Sequence, residues 1–204
     1  MFHHMSGQPP TTHNGVRKMY LGLDVDSVLC DTMPLLLEKI NREHGTAITA
    51  LDAVEWDFPV GDTTFDALIL AAFRDPELLM SLPPMKDSQR IVKMLAKDFD
   101  IIVVTSRKEL TVDATKLWVE KYFGLLPVIH TGDSKNGHDL DILVDDAPHN
   151  VIPFADSGKP AILFDQLWNQ KVPEHPLIWR CENWLQVHRA IYAHALPATL
   201  YRKV

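Results

Sequence analysis

Cysteine is scarce in this 204-residue chain, with Cys30 and Cys181 the only two. They lie far apart, form no metal-type spacing, and read as free thiols of a reducing, cytoplasmic compartment. Basic residues are in deficit too: 20 Lys and Arg stand against 27 Asp and Glu, a net charge of −7. That balance argues against a polyanionic partner such as duplex DNA, which selects a basic face. A small anion can still meet a locally positive site. No apolar run approaches the roughly 20 residues that span a bilayer. The start, "MFHHMSGQPPTTHNGVRK", has no apolar h-region, so it is not read as a secretory signal. Residues 1–18 are expected to be a disordered leader. Internal repeats and low-complexity tracts are absent as well.

What is present is an ordinary apolar fraction of 46% arranged in two alternating periods. It is enough to build one domain with a modest insertion. "KMYLGLDVD" (18–26), "DIIVVTS" (100–106), "PVIHT" (127–131), "DILVDD" (141–146) and "PAILFD" (160–165) are short apolar runs of strand length. Between and after them, "MPLLLEKINREHG" (33–45), "DSQRIVKMLAKDF" (87–99), "VDATKLWVEKYFG" (112–124) and "ENWLQVHRAIYAHAL" (182–196) carry helical spacing. Residues 46–84 are broken by Pro59, Pro76, Pro83 and Pro84 and read as a small, mainly helical insertion. Strands alternating with helices predict an α/β fold, a Rossmann-like parallel sheet flanked by helices.

In such sheets the ligand sits outside the carboxyl ends of the strands. The residues expected there are Asp24 and Asp26, Thr105 and Ser106, and Asp145 and Asp146, with Lys135 in the loop before the last pair. Carboxylates converging on one crevice repel each other unless a cation joins them or their pKa values rise. Oxygen donors without Cys or His suit a hard cation, Mg²⁺ above all. Thr105 and Lys135 supply an anion cradle opposite. That set describes a phosphoryl-transfer site, in which one aspartate attacks phosphorus and a second, two residues on, moves the proton.

These residues resemble the haloacid dehalogenase superfamily, whose four motifs are matched in order by "DVDSV", "IIVVTS", Lys135 of "GDSKNG", and "DILVDD". Within it the chain is most similar to the 5′(3′)-deoxyribonucleotidase-like nucleotidases, through "WVEKYFG" (118–124), the lysine ten residues before the acidic pair, and "ILFDQLWN" (162–169). The resemblance implies a core of residues 19–31 and 85–204, with a cap inserted at 32–84. It implies Asp24 as nucleophile, Asp26 as general acid and base, Thr105 and the Ser106 amide on the phosphoryl oxygens, and Lys135 beside nucleophile and phosphate. It assigns Mg²⁺ to Asp24, the Asp26 carbonyl and Asp146, with Asp145 through water or behind the ligands. Where the family places a second phosphate-binding lysine, this chain has Thr115, with Lys116 beside it; Arg107 is a candidate replacement. Trp56 and Phe58 of "EWDF" are either insertion core or a wall on which a base stacks. His130, His138 and His149 fit no metal spacing and read as loop and surface residues.

The leading expectation is a Mg²⁺-dependent phosphatase of nucleoside monophosphates, with a small phosphorylated substrate and no membrane partner. Alternatives within the enzyme class are a phosphatase of another small phosphomonoester or of nucleic-acid ends, the latter disfavoured by the acidic charge. A receiver-type signalling module would place its lysine last in the chain, whereas here it precedes the acidic pair. A catalytically silent scaffold would lack motif side chains, and all are present.

Overall fold

A computed structural model describes residues 12–13, 16–53, 58–132, 135 and 138–195. Its elements in chain order are β1 (Thr12–His13), β2 (Val16–Arg17), β3 (Met19–Leu23), α1 (Met33–His44), β4 (Pro59–Val60), β5 (Thr63–Thr64), α2 (Phe65–Ala72) and α3 (Pro76–Ser81). There follow α4 (Ser88–Leu95), β6 (Phe99–Thr105), α5 (Val112–Phe123), β7 (Val128–His130), β8 (Ile142–Asp145), α6 (Pro148–Asp156), β9 (Ala161–Phe164), β10 (Ile178–Cys181) and α7 (Trp184–Ala195). Six strands form one sheet in the order β10-β9-β8-β3-β6-β7, and each pairing in it is parallel. The α/β expectation holds; between β3 and β6, the stretch that holds the expected insertion, the chain forms α1, the β4–β5 pair, α2, α3 and α4.

The central strands are apolar on both faces because helices cover both faces. Leu21 and Leu23 of β3, Val103 and Val104 of β6, and Ile142 and Val144 of β8 are all buried. Chain order reverses at β3: the chain next enters the sheet at β6 on one side and later at β8 on the other. Such a switch point opens a crevice at the carboxyl ends of the three strands.

Local signals behave as their chemistry requires. Gly45 ends α1 at φ 63°, ψ 31° with its N–H on the Asn41 carbonyl, a left-handed stop that costs glycine nothing. Asp75 caps α3, its carboxylate accepting from the Glu77 and Leu78 amides, with Pro76 at the first helical position. Trp118 is fully buried and donates its indole N–H to the Leu82 carbonyl at 2.8 Å. That bond ties α5 to the chain leaving the insertion. Both cysteines are free and buried; burial pushes their thiols up, Cys30 to about 12 and Cys181 to about 11, so neither is a reactive thiolate.

Six elements fall outside the sequence expectation: the two-residue strands β1, β2, β4 and β5, the helix α6 and the strand β10. α6 begins at Pro148 and contains Pro153, and the two prolines disguise a helix whose Val151, Phe154 and Ala155 are nonetheless buried. β10 is a four-residue edge strand with Arg180 exposed in its middle. Of the expected leader, residues 1–11, 14 and 15 lie outside the described residues, while β1 and β2 pair antiparallel and Arg17 bonds Asp141 at 2.7 Å.

Trp184, at the head of α7, is fully buried and donates to the Val28 carbonyl at 2.9 Å, in the loop that follows β3. Trp184→Phe should lower stability by about 2–3 kcal/mol, because it strands a buried carbonyl and leaves a void. Urea unfolding measures this; an unchanged midpoint would mean that the bond does not hold the loop.

Candidate active site

β3 ends at Leu23, and Asp24 continues its ladder by donating its N–H to the Val144 carbonyl of β8 at 3.0 Å. The chain then turns sharply. Ser27 adopts φ 58°, and the Cys30 amide closes back on the Val25 carbonyl at 2.8 Å. The turn is pinned from a distance by Gln166, whose side chain donates to the Ser27 carbonyl at 3.0 Å. A non-glycine residue in the left-handed region costs about 1–2 kcal/mol, and these bonds offset it.

At the base of the crevice, Lys135 is buried and donates to Asp24 Oδ1 at 2.5 Å and to Asp145 Oδ2 at 2.7 Å. Asp145 also accepts from the Ala147 amide at 2.9 Å and the Asn150 side chain at 3.1 Å. Asp146 accepts from the Trp168 indole at 2.9 Å. The carboxylates of Asp24, Asp145 and Asp146 each bring an oxygen within 4.8 Å of the others.

The second acidic centre is separate. Asp26 makes a two-pronged ion pair with Arg107, at 2.9 Å from Nε and 2.8 Å from Nη2, and accepts from Thr32 Oγ1 at 2.8 Å. Arg107 is itself buried; its Nη1 donates to Thr115 Oγ1 at 3.3 Å and its guanidinium lies 5.3 Å from the Phe73 ring centre. The Thr105 hydroxyl accepts from the Arg107 amide at 3.2 Å.

These contacts set the charge states. Burial raises the Asp24 carboxyl to about 7, with Asp145 and Asp26 adding to the rise and Lys135 opposing it. Burial likewise holds the Asp146 carboxyl well above its ordinary range, reinforced by Asp24 and Asp145. Burial would raise Asp26 also, but Arg107 and Thr32 outweigh it and hold the carboxyl below its ordinary value. The Lys135 ammonium loses solvation, yet Asp145 and Asp24 more than compensate and keep it charged.

The residues present suit a hard divalent cation. Three carboxylates against one ammonium leave two excess negative charges in a buried site. All donors are oxygens. Asn150 Oδ1, buried on the same cavity wall, has no hydrogen-bond partner among the described residues, and is an acceptor available to a cation's water.

Above this floor lies a cavity of about 540 Å³. Its polar floor is formed by Asp24, Asp26, Thr105, Ser106, Arg107, Lys135 and Asp146, and its walls are apolar, with Met33 and Leu36 of α1, Ile69 and Leu70 of α2, and Phe73. All seven expected floor residues thus converge on one cavity, with Asp145 directly behind. Phe58 does not join them. Its ring stacks on Phe65 at 4.9 Å, within the insertion, because Phe65 is fully buried and offers an apolar partner. Trp56 lies outside the described residues. Lys116 points to solvent from α5, while Thr115 faces inward to Arg107. Of the histidines, His149 is on the cavity rim and His130 Nδ1 lies 3.1 Å from the Arg107 carbonyl. Phe73, Trp168 and Asn150 were not anticipated; only the "ILFDQLWN" resemblance touched one of them.

Comparison with known proteins bears on the family and the fold. The family model described as "5′ nucleotidase, deoxy (Pyrimidine), cytosolic type C protein" matches residues 17–196. A 5′(3′)-deoxyribonucleotidase of Bacillus subtilis is 28% identical over 179 residues, 85% of this chain and 99% of the relative. One from Bacillus phage SPbeta is similar to the same extent. Among solved structures, a haloacid dehalogenase-like hydrolase of Streptococcus pneumoniae superposes with TM-score 0.60 at 9% identity, over 85% of this chain and 98% of that one. A hydrolase of that kind from Bacillus subtilis, bound to magnesium, superposes with TM-score 0.55 at 12% identity, over 85% and 98%. At those identities the structures establish the fold, and the match along 17–196 establishes more: the chain belongs to the 5′ nucleotidase, deoxy (pyrimidine), cytosolic type C family, the nucleotidase phosphomonoesterases of the haloacid dehalogenase fold.

Proposed function

We propose that the protein dephosphorylates nucleoside monophosphates, with Asp24 as nucleophile and Asp26 as proton carrier. The observation that carries this is the pairing of each acid with its own buried cation, Asp24 with Lys135 and Asp26 with Arg107, on one cavity floor. The deoxyribonucleotidase relatives support a nucleotide as substrate.

The phosphate is bound by Thr105, the Ser106 amide, Lys135 and Arg107. An Asp24 oxygen attacks phosphorus, the ester bond breaks, and Asp26 gives its proton to the leaving oxygen. For that step Arg107 must share its charge with the phosphate, which relaxes its hold on the Asp26 carboxylate. In the second half Asp26, again ionised, takes a proton from water as the water oxygen attacks the aspartyl-phosphate and frees Asp24. Asp24, Asp146 and the Asp26 carbonyl would hold Mg²⁺, with Asp145 behind them. When bound, the ion offsets the excess carboxylate charge and the charge that develops on the phosphoryl oxygens. Residues 32–84 act as a cap, whose apolar wall from α1 and α2 keeps water from the floor until transfer is complete. Placement in the cytoplasm accords with two free thiols and the absence, among the described residues, of a helix long and apolar enough to cross a membrane.

Asp24→Asn should reduce turnover on the order of 10³-fold or more, since an amide cannot attack phosphorus. Steady-state assay decides; a variant keeping a tenth of wild-type rate would exclude Asp24 as nucleophile. Arg107→Met should raise KM about tenfold for nucleotides and for a small aryl phosphate alike, because the phosphate is common to both and a charged hydrogen bond contributes about 1.5–3 kcal/mol. A loss confined to nucleotides would assign Arg107 to the leaving group instead.

The raised carboxyls give a pH signature. Their protonated forms stabilise the metal-free fold below the ordinary carboxylate pKa near 4, and that contribution is lost as pH rises through about 7 for Asp24. Cation binding requires the ionised forms, so apparent Mg²⁺ affinity should rise about tenfold per pH unit for each proton displaced, the share due to Asp24 levelling off above about 7. Thermal unfolding with and without Mg²⁺ reads this as a Tm increment larger at pH 8 than at pH 5.5. An increment independent of pH would place the ion away from Asp24 and Asp146.

A further inference from the structure

The stretch "ILFDQLWN" takes no part in the chemistry described so far, yet it ends against the acidic cluster. After β9 the chain makes a single 3₁₀ turn, Leu167–Asn169. The turn is closed on itself, with the Gln166 amide donating to Asn169 Oδ1 at 3.2 Å and the Asn169 amide to the Gln166 carbonyl at 3.2 Å. Two of its side chains grip one residue. The Trp168 indole N–H donates to Asp146 Oδ2 at 2.9 Å, and Asn169 Nδ2 donates to the Asp146 carbonyl at 2.8 Å and the Phe164 carbonyl at 2.8 Å. Both residues are buried, Trp168 to 8% exposure and Asn169 to 1%. The turn is anchored in its turn by Arg180 of β10, which donates to Asn169 Oδ1 at 2.7 Å and to the Asn169 carbonyl at 2.9 Å.

We infer that Trp168 is a positioning residue for the cation site, fixing the Asp146 carboxylate so that one oxygen is held by the indole and the other is kept for a ligand. The inference rests on the cation reading proposed above. Its physical basis is rotational. A carboxylate on a two-torsion side chain turns freely unless a directional bond stops it, and each such freedom must be lost when a cation binds. An indole N–H only donates, so it fixes the carboxylate without competing as a ligand or carrying charge of its own into an already crowded electrostatic site. Asn169 does the same for the Asp146 backbone. Side chain and main chain of one residue are therefore held from a single turn, and that turn from the sheet edge. Core packing alone would call for an apolar ring at 168 and would be indifferent to where its nitrogen points.

The test uses the full chain and Mn²⁺ as probe, with free Mn²⁺ followed by electron paramagnetic resonance and the metal-free fold checked by thermal unfolding. Trp168→Phe keeps a buried aromatic ring and removes the N–H. It should weaken Mn²⁺ affinity about tenfold or more, the range for loss of a hydrogen bond to a metal ligand, while the variant stays folded and KM for an aryl phosphate stays at the wild-type value. Unchanged Mn²⁺ affinity in the folded variant overturns the inference and leaves the cation reading standing. Failure of the wild-type protein to bind Mn²⁺ overturns that reading, and the inference with it. Should the variant not fold, the wild type decides: with ¹⁵N-labelled indoles, the Trp168 N–H resonance shifts on saturation with Mg²⁺ when its acceptor becomes a ligand. A resonance that stays in place overturns the inference.

Discussion

One buried ammonium governs this molecule. Lys135 joins Asp24 to Asp145, and without it three carboxylates would face one another within 4.8 Å. At that separation each pair repels by roughly 3–4 kcal/mol at an effective dielectric of about 20. Without the ammonium, the strands could hold the three acids this close only by keeping more of them protonated. Lys135 lies in sequence between β7 and β8 and meets acids from the ends of β3 and β8. The three acids are also unequal. Asp145 accepts from Lys135, the Ala147 amide and Asn150, and these bonds engage both its oxygens. Asp24 and Asp146 keep acceptor capacity, and burial raises the carboxyls of both.

Positive charge is divided between the two acids: Lys135 faces Asp24, the proposed nucleophile, and Arg107 faces Asp26, the proposed proton carrier. Arg107 also reaches the position where the chain departs from the family pattern. Thr115 stands where the resemblance places a lysine, and the Arg107 guanidinium extends to the Thr115 hydroxyl at 3.3 Å. The short side chain at 115 makes room for a long one from another element. Stacking against Phe73, the residue that ends α2, links that cation to the insertion.

Much of this was legible before any coordinates. Strands buried on both faces announce themselves as unbroken apolar runs, and the acidic pairs sit at their ends, so Asp24, Asp26, Asp145 and Asp146 could be placed by the rule for parallel sheets alone. Elements that depend on neighbours could not. α6 holds together despite Pro153 because Val151, Phe154 and Ala155 are buried in the core, and burial outweighs propensity. β10 is too short and too polar to signal a strand; its pairing with β9 creates it. Phe58 is flat and apolar, which suits a base-stacking wall and an apolar cluster equally. Only the position of Phe65 assigns it to the cluster.

The sequence by itself determined the α/β class, the strand ends as the place where the acidic pairs sit, and the all-oxygen donor set they carry. These follow from period, composition and donor type, which are properties of residues in order. Tertiary structure alone decided which groups touch: Arg107 on Asp26, Thr115 on Arg107, Trp168 and Asn169 on Asp146. Those pairs are separated by as many as 81 residues in the chain, and no local preference encodes them. Their geometry comes from the packing of strands and helices between, and the pKa of each acid comes from that geometry.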